Sequence, residues 1–220
     1  MVDKRKSYYL VFDTETANGL ENPLVYDIGW QIIDKQGNVY LQRSYVIEDI
    51  FKYEMELMLT CYYADKISQY YKDIATGARQ LVSYAFVKKQ MYQDCKAYNV
   101  KALIAHNARF DYRSTATTQR YITKSASRYF LPYGIPLWDT MRMAQDVICT
   151  KPTYKQFCID NGYLCGNGQV RKTAEVLYRY ITQDTTFEES HTGLEDVEIE
   201  SQIFTYCLKQ KKKMKKECFN

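Results

Sequence analysis

The chain has 220 residues, 46% of them hydrophobic and 25% charged, with only 9 Gly and 4 Pro. That composition excludes a disordered or fibrous chain and leaves room for one folded domain with a sizeable core, or one domain carrying an insertion. A net charge of +4 permits nucleic-acid binding without demanding it, and 22 Tyr supply rings that suit both core-boundary packing and base stacking.

The first predicted element is a strand at 8–12, five bulky residues with no polar alternation, as expected of a strand buried on both faces. Asp13-Thr14-Glu15-Thr16 follows. Residues i and i+2 of an extended chain point to one side, so Asp13 and Glu15 would project two carboxylates together. Close like charges repel, and burial sharpens the repulsion; a bound divalent cation relieves it, while a solvated turn would avoid it.

A turn-rich loop covers 16–23. Residues 24–33, with Ile28, Trp30 and Ile32, predict a second strand, and 39–47 a third, joined by the hairpin turn Lys35-Gln36-Gly37-Asn38. Short helices are expected near 55–59 and 62–73, in a section that reads as a lid or insertion. The three- and four-residue recurrence of Leu81, Tyr84, Val87, Met91, Cys95 and Tyr98 predicts a helix over 79–98. A strand at 100–105 runs into His106-Asn107-Ala108-Arg109-Phe110-Asp111, with a helix from about 110 to 121. A brief strand at 137–140 is followed by helices at 141–149, 153–160 and 172–182. Trp138 beside Asp139 suggests packing and a helix cap there, and His106 is expected to brace its strand end by hydrogen bonds. After an acidic loop, in which Glu188 and Glu189 read as solvated charges, the last helix opens at His191-Thr192-Gly193-Leu194-Glu195-Asp196. The order predicts one α/β domain with a mixed central sheet flanked by helices, over residues 1–208, and a basic C-terminal tail at 209–220.

Seven Cys lack the paired spacing of a zinc site or a disulfide framework. The N-terminus has no signal-peptide core, and no apolar run is long enough to cross a bilayer. The expectation is a soluble, cytoplasmic protein with free thiols and no membrane partner.

Four acids and a histidine fall at the ends of elements: Asp13, Glu15, Asp111, His191 and Asp196. Hard carboxylate oxygens without thiolates suit Mg²⁺ or Mn²⁺. In this order and on these elements, Asp13-Thr14-Glu15-Thr16, Ala105 to Asp111 and His191 to Asp196 resemble the three motifs of the DEDDh 3′–5′ exonucleases, a proofreading-type family with an RNase H-like fold. The third motif has the family's His-x4-Asp form, and the resemblance covers about residues 7–208. Ala17-Asn18-Gly19 and Gly193 depart from the family's usual Thr-Gly and Ala-Leu, and residues 48–77 match it least.

The resemblance implies two Mg²⁺ or Mn²⁺ ions. Asp13, Glu15 and Asp196 would hold one, Asp13 would bridge to the second, and Asp111 would complete the set through water. Two such ions about 4 Å apart stabilise the attacking and leaving oxygens of a phosphoryl displacement. His191, with an ordinary pKa of about 6.5, would be the general base. Thr14, Thr16, Asn107 and Phe110 would contact the terminal nucleotide. The implied substrate is a single-stranded DNA 3′ end, cleaved to nucleoside 5′-monophosphates. Short RNA is the alternative substrate, a non-catalytic nucleic-acid-binding module of a replication assembly the alternative class, and a DNA polymerase a further expected partner.

Overall fold

Strand β1 (Tyr8–Ala17) runs through the middle of the computed structural model, which describes residues 2–127 and 129–219. Its side chains alternate between two cores. Tyr8, Leu10 and Phe12 enter one, and Tyr9 and Val11 the other. The uninterrupted apolar run thus reflects burial on both faces.

β2 (Leu24–Asp34) pairs antiparallel with β1 and with β3 (Val39–Ile47). In the turn between them, the Asp34 carboxylate accepts from the Gln36 and Asn38 backbone N–H groups, and Gly37 takes φ +90°. Next come α1 (Glu48–Phe51), α2 (Met55–Leu59), a 3₁₀ turn at Ala64–Lys66 and α3 (Ile67–Thr76). β4 (Gln80–Val82) then pairs parallel with β3, before α4 (Tyr84–Tyr98). This corrects the helix expected over 79–98. The helical period holds from Tyr84 onward, where the Ser83 hydroxyl caps α4 by accepting from the Phe86 N–H at 3.3 Å.

β5 (Ala102–Ala105) lies parallel to β1, α5 (Ala108–Thr123) follows, and β6 (Leu137–Asp139) lies parallel to β5. The order across the mixed six-stranded sheet is β4-β3-β2-β1-β5-β6. α6 (Thr140–Val147), α7 (Pro152–Asp160), α8 (Ala174–Thr182) and α9 (Gly193–Lys209) complete the main elements. One face of the sheet is covered by residues of α1, α4 and α5, the other by residues of α6 to α9.

Asp139 caps α6 as expected, accepting from the backbone N–H of Met141 and Arg142. After α9 the chain turns back. A 3₁₀ turn at Lys216–Phe219 buries Cys218 and sets Phe219 edge-on against Trp138, with ring centroids 5.0 Å apart. The lysines at 211–213, 215 and 216 stay exposed. No helix among the described residues is long and apolar enough to cross a membrane.

Candidate active site

The alternation that divides Tyr8 to Phe12 between two cores continues past the end of the apolar run. Asp13 and Glu15 fall on the side of Tyr9 and Val11, which is the side covered by α9. There they meet Asp196 in the first turn of α9. One carboxylate oxygen from each of the three lies within 4.8 Å of the others. Glu15 and Asp196 are buried and Asp13 nearly so.

The approach of α9 is set by two glycines. Gly29 of β2 pairs directly with Asp13, and a Cβ placed on it would lie 2.5 Å from the Gly193 carbonyl carbon and the Leu194 nitrogen. A Cβ on Gly193 would lie 2.8 Å from the Gly29 nitrogen. Backbone rests on backbone here, which accounts physically for Gly193 in the third motif. The Gly193 N–H also donates to the Asp27 carboxylate at 3.1 Å.

Burial first, then the charge of its neighbours, pushes each acid upward. Glu15 and Asp196 are raised by burial and by Asp13, and Asp13 by burial and by Glu189. Asp196 Oδ1 is buried with no hydrogen-bond partner. Among the described residues no Lys, Arg or His side chain forms an ion pair with Asp13, Glu15 or Asp196, although Arg79 nearby engages Asp27, Asp73 and Glu195. Three converging carboxylates, one with an orphaned oxygen and none with a cationic partner, fit a divalent cation.

Thr14 points to the opposite face. It is buried, and its hydroxyl donates to Asp111 Oδ1 at 2.8 Å. Asp111, in the first turn of α5, is raised by burial and by Asp13. It stands outside the group of three and is oriented by Thr14. Thr16 and Phe110 are half-buried and Asn107 is exposed; Asn107 takes φ +61° where β5 turns into α5. His106 is locked in place, as its position after β5 suggested. Its backbone N–H donates to Glu200, and its ring nitrogens meet Thr140 Oγ1 at 3.0 Å and the Lys172 carbonyl at 2.8 Å.

His191 lies on the loop before α9, at φ +54°. Its ring stacks on Tyr63, with centroids 4.3 Å apart and planes 15° from parallel. Its Nδ1 is 4.0 Å from Glu189 Oε2. Burial and the nearby Lys66 lower the His191 pKa. Its ring is not among the groups brought within mutual reach of Asp13, Glu15 and Asp196.

Three further acids face this site, and none of them was read as a site residue in the sequence. Asp27 pairs with Glu15 across the β1–β2 ladder and accepts from Tyr70 Oη, Arg79 Nη1 and the Gly193 N–H. A lone acid inside the run Leu24 to Ile33 was its signal. Glu200 is buried one helical turn after Asp196, and burial and Asp13 raise it well above the usual carboxylate range. Its spacing of four from Asp196 put both on one face of α9. Glu189 corrects an expectation. Glu188 is exposed, but the Glu189 side chain is 14% exposed and pushed up to about 7, chiefly by burial. The loop folds inward because Lys66 Nζ donates to the Ser190 carbonyl at 2.9 Å and Arg179 Nε donates to the Phe187 carbonyl at 2.7 Å.

No family model and no curated protein matches the chain. Solved structures do. A structure of exonuclease X in complex with 5′ overhanging duplex DNA is similar over 96% of this chain and 96% of its own, at 14% identity and a TM-score of 0.52. E. coli exonuclease I in complex with a dT13 oligonucleotide matches 91% of this chain at 15% identity and a TM-score of 0.55. An exonuclease I from Methylocaldum szegediense matches 90% at 14% identity and a TM-score of 0.52. The matches to these two exonuclease I chains cover 41% and 39% of their length. At these identities the likeness establishes the fold, an α/β RNase H-like sheet flanked by helices.

Proposed function

We propose that the protein is a metal-dependent 3′–5′ exonuclease of the DEDDh type, which trims single-stranded DNA ends to nucleoside 5′-monophosphates. The observation that carries the reading is the meeting of Asp13, Glu15 and Asp196, with Asp196 Oδ1 buried and unpartnered. The fold shared with exonuclease X and exonuclease I, whose structures include DNA complexes, supports DNA as the substrate.

Asp13, Glu15 and Asp196 would hold Mg²⁺ or Mn²⁺, and Asp111, oriented by Thr14, would complete a two-ion set. Bound there, the ions would supply electrostatic stabilisation of the phosphoryl oxygens and of the leaving 3′ oxygen. His191, neutral at working pH, accepts a proton from the attacking water at a ring nitrogen. Thr16 near the end of β1, Asn107 after β5 and Phe110 in the first turn of α5 keep exposure and contact the terminal nucleotide, with Phe110 offering a ring face to its base. A polymerase partner would draw on the same 3′-end specificity.

The test is digestion of matched 3′-labelled and 5′-labelled DNA and RNA oligomers with Mg²⁺, Mn²⁺ or EDTA. The expected result is stepwise shortening from the 3′ end of DNA, with release of 5′-monophosphates and no reaction in EDTA. Faster digestion of RNA would change the substrate, and retention of both labels with any metal would leave a binding module.

A further inference from the structure

We propose that Tyr63 is a positioning residue for His191, so that the segment between β3 and β4 forms part of the catalytic apparatus rather than a decoration on it. The inference rests on the nuclease reading for the role of His191, and on geometry alone for the role of Tyr63.

His191 has few constraints of its own. It sits on a loop in the left-handed backbone region, with its side chain 34% exposed. The Glu189 carboxylate near Nδ1 lies beyond hydrogen-bond length. The broad contact is the Tyr63 ring, nearly parallel to the imidazole at stacking distance. A face-to-face contact fixes the ring plane and leaves both ring nitrogens free at the edge, which a base must have.

The segment that carries Tyr63 is tied to the same loop by adjacent contacts. Tyr63 meets His191, and Lys66, three residues on, holds the carbonyl of Ser190. Farther along, Tyr70 Oη donates to Asp27 at 2.6 Å, and Asp27 in turn accepts from the Gly193 N–H at the start of α9. Arg79 binds Asp27, Asp73 and Glu195 together. Three successive points on the segment therefore grip the chain on both sides of His191. Among the described residues the Tyr63 hydroxyl makes no hydrogen bond to another side chain, so the ring rather than the hydroxyl is the working part. Tyr62 beside it is 89% exposed and points elsewhere, edge-on to Tyr63.

Two measurements test this. The chain has two histidines, so His191→Ala assigns both imidazole Cε1–H signals in the NMR spectrum, with His106 as internal control. The His191 signal should be shifted upfield by the Tyr63 ring current, stay there in Tyr63→Phe, and move to the free-histidine position in Tyr63→Leu, while His106 holds still. Single-turnover rates with saturating Mn²⁺ give the second arm. Tyr63→Phe should stay within about twofold of wild type, and Tyr63→Leu should lose about 10- to 100-fold in rate, with oligonucleotide affinity measured in Ca²⁺ held within about twofold. In a His191→Ala background Tyr63→Leu should cost nothing further, because it acts through the missing ring. An equal loss in both backgrounds would show Tyr63 acting on substrate or fold and would overturn the proposal, as would a His191 signal that ignores Tyr63→Leu. Wild-type protein without nuclease activity would instead sink the exonuclease reading, while the ring-current arm would still decide the stack.

Discussion

Gly29→Ala tests how the three-carboxylate group is built. The added methyl would sit 2.5 Å from the backbone at Gly193 and Leu194, where ordinary contact begins at 3.4 Å. Backbone cannot rotate aside as a side chain can, so β2 and the start of α9 must separate by about 0.9 Å. The strain falls across from Asp13 and three residues before Asp196. Overpacking of this kind costs about 1–3 kcal/mol. For a chain of this size that lowers Tm by about 2–12 °C. The same displacement moves Asp196 relative to Asp13 and Glu15, and a shift of about 1 Å in a catalytic group costs about 100-fold in rate. Thermal unfolding and single-turnover digestion of a 3′-labelled oligonucleotide, both with Mn²⁺, read the two effects. Gly166→Ala, where a Cβ meets nothing within 4 Å, is the control and should be neutral. If Gly29→Ala kept wild-type Tm and turnover, the helix would not be seated through this contact and the account of Gly193 would fail with it.

The raised acids make a prediction for the metal-free protein. Unfolded carboxyls release their protons near pH 4, whereas the folded cluster holds protons to higher pH, so the folded state binds more protons between those limits and loses stability as pH rises. In EDTA, Tm should fall between pH 5.5 and 8, and Mn²⁺ should raise it most at pH 8; the same slope in Asp196→Asn would contradict this. His191→Ala should lower turnover by about 10²–10⁴-fold and leave Mn²⁺-induced stabilisation intact. Because burial and Lys66 lower the His191 pKa, its neutral form persists below the ordinary value of about 6.5, so the acid limb of the wild-type rate profile should lie below that pH and disappear in the variant. Lys211, Lys212 and Lys213 are exposed, and replacing all three by Gln should flatten the salt dependence of oligonucleotide binding by about 0.7 in log–log slope for each phosphate they neutralise; an unchanged slope would make them solvated surface.

The parts of this molecule governed by local rules were legible in the sequence. Tyr8 to Phe12 announces a strand buried on two faces, and the period of two that places Tyr9 and Val11 on one side also puts Asp13 and Glu15 there. Asp139 as a cap and His106 as a brace follow from their positions at element ends. β4 was hidden because Leu81 and Tyr84 satisfy the helical period by chance, and three residues offer too little pattern to compete. The burial of Glu189 was not legible because a polar loop gives no sign of which of two adjacent acids turns inward. That choice is made by Arg179 on the preceding helix together with Lys66, which is distant in sequence from the loop it holds. The Tyr63–His191 stack was illegible for the same reason, since neither residue carries a motif that implies the other.

The distribution of positive charge is what separates this cluster from a structural ion-pair network. Arg79 is buried within reach of three acids, Asp27, Asp73 and Glu195, and it supplies the charge that makes the burial of Asp27 tolerable. Glu15 lies across the ladder from Asp27, so a protein cation could have served it as well. Instead the guanidinium is divided among Asp27, Asp73 and Glu195, and Asp13, Glu15 and Asp196 repel one another with an Asp196 oxygen left over. A fold selected for stability alone would have paired or replaced these acids, because an apolar or amide residue at any of them would relieve the repulsion. Retaining them unpaired beside an arginine committed to other acids is coherent if their countercharge comes from solution, and the start of α9, where the His191 loop ends, is held by the same Arg79, through Glu195 and Asp27.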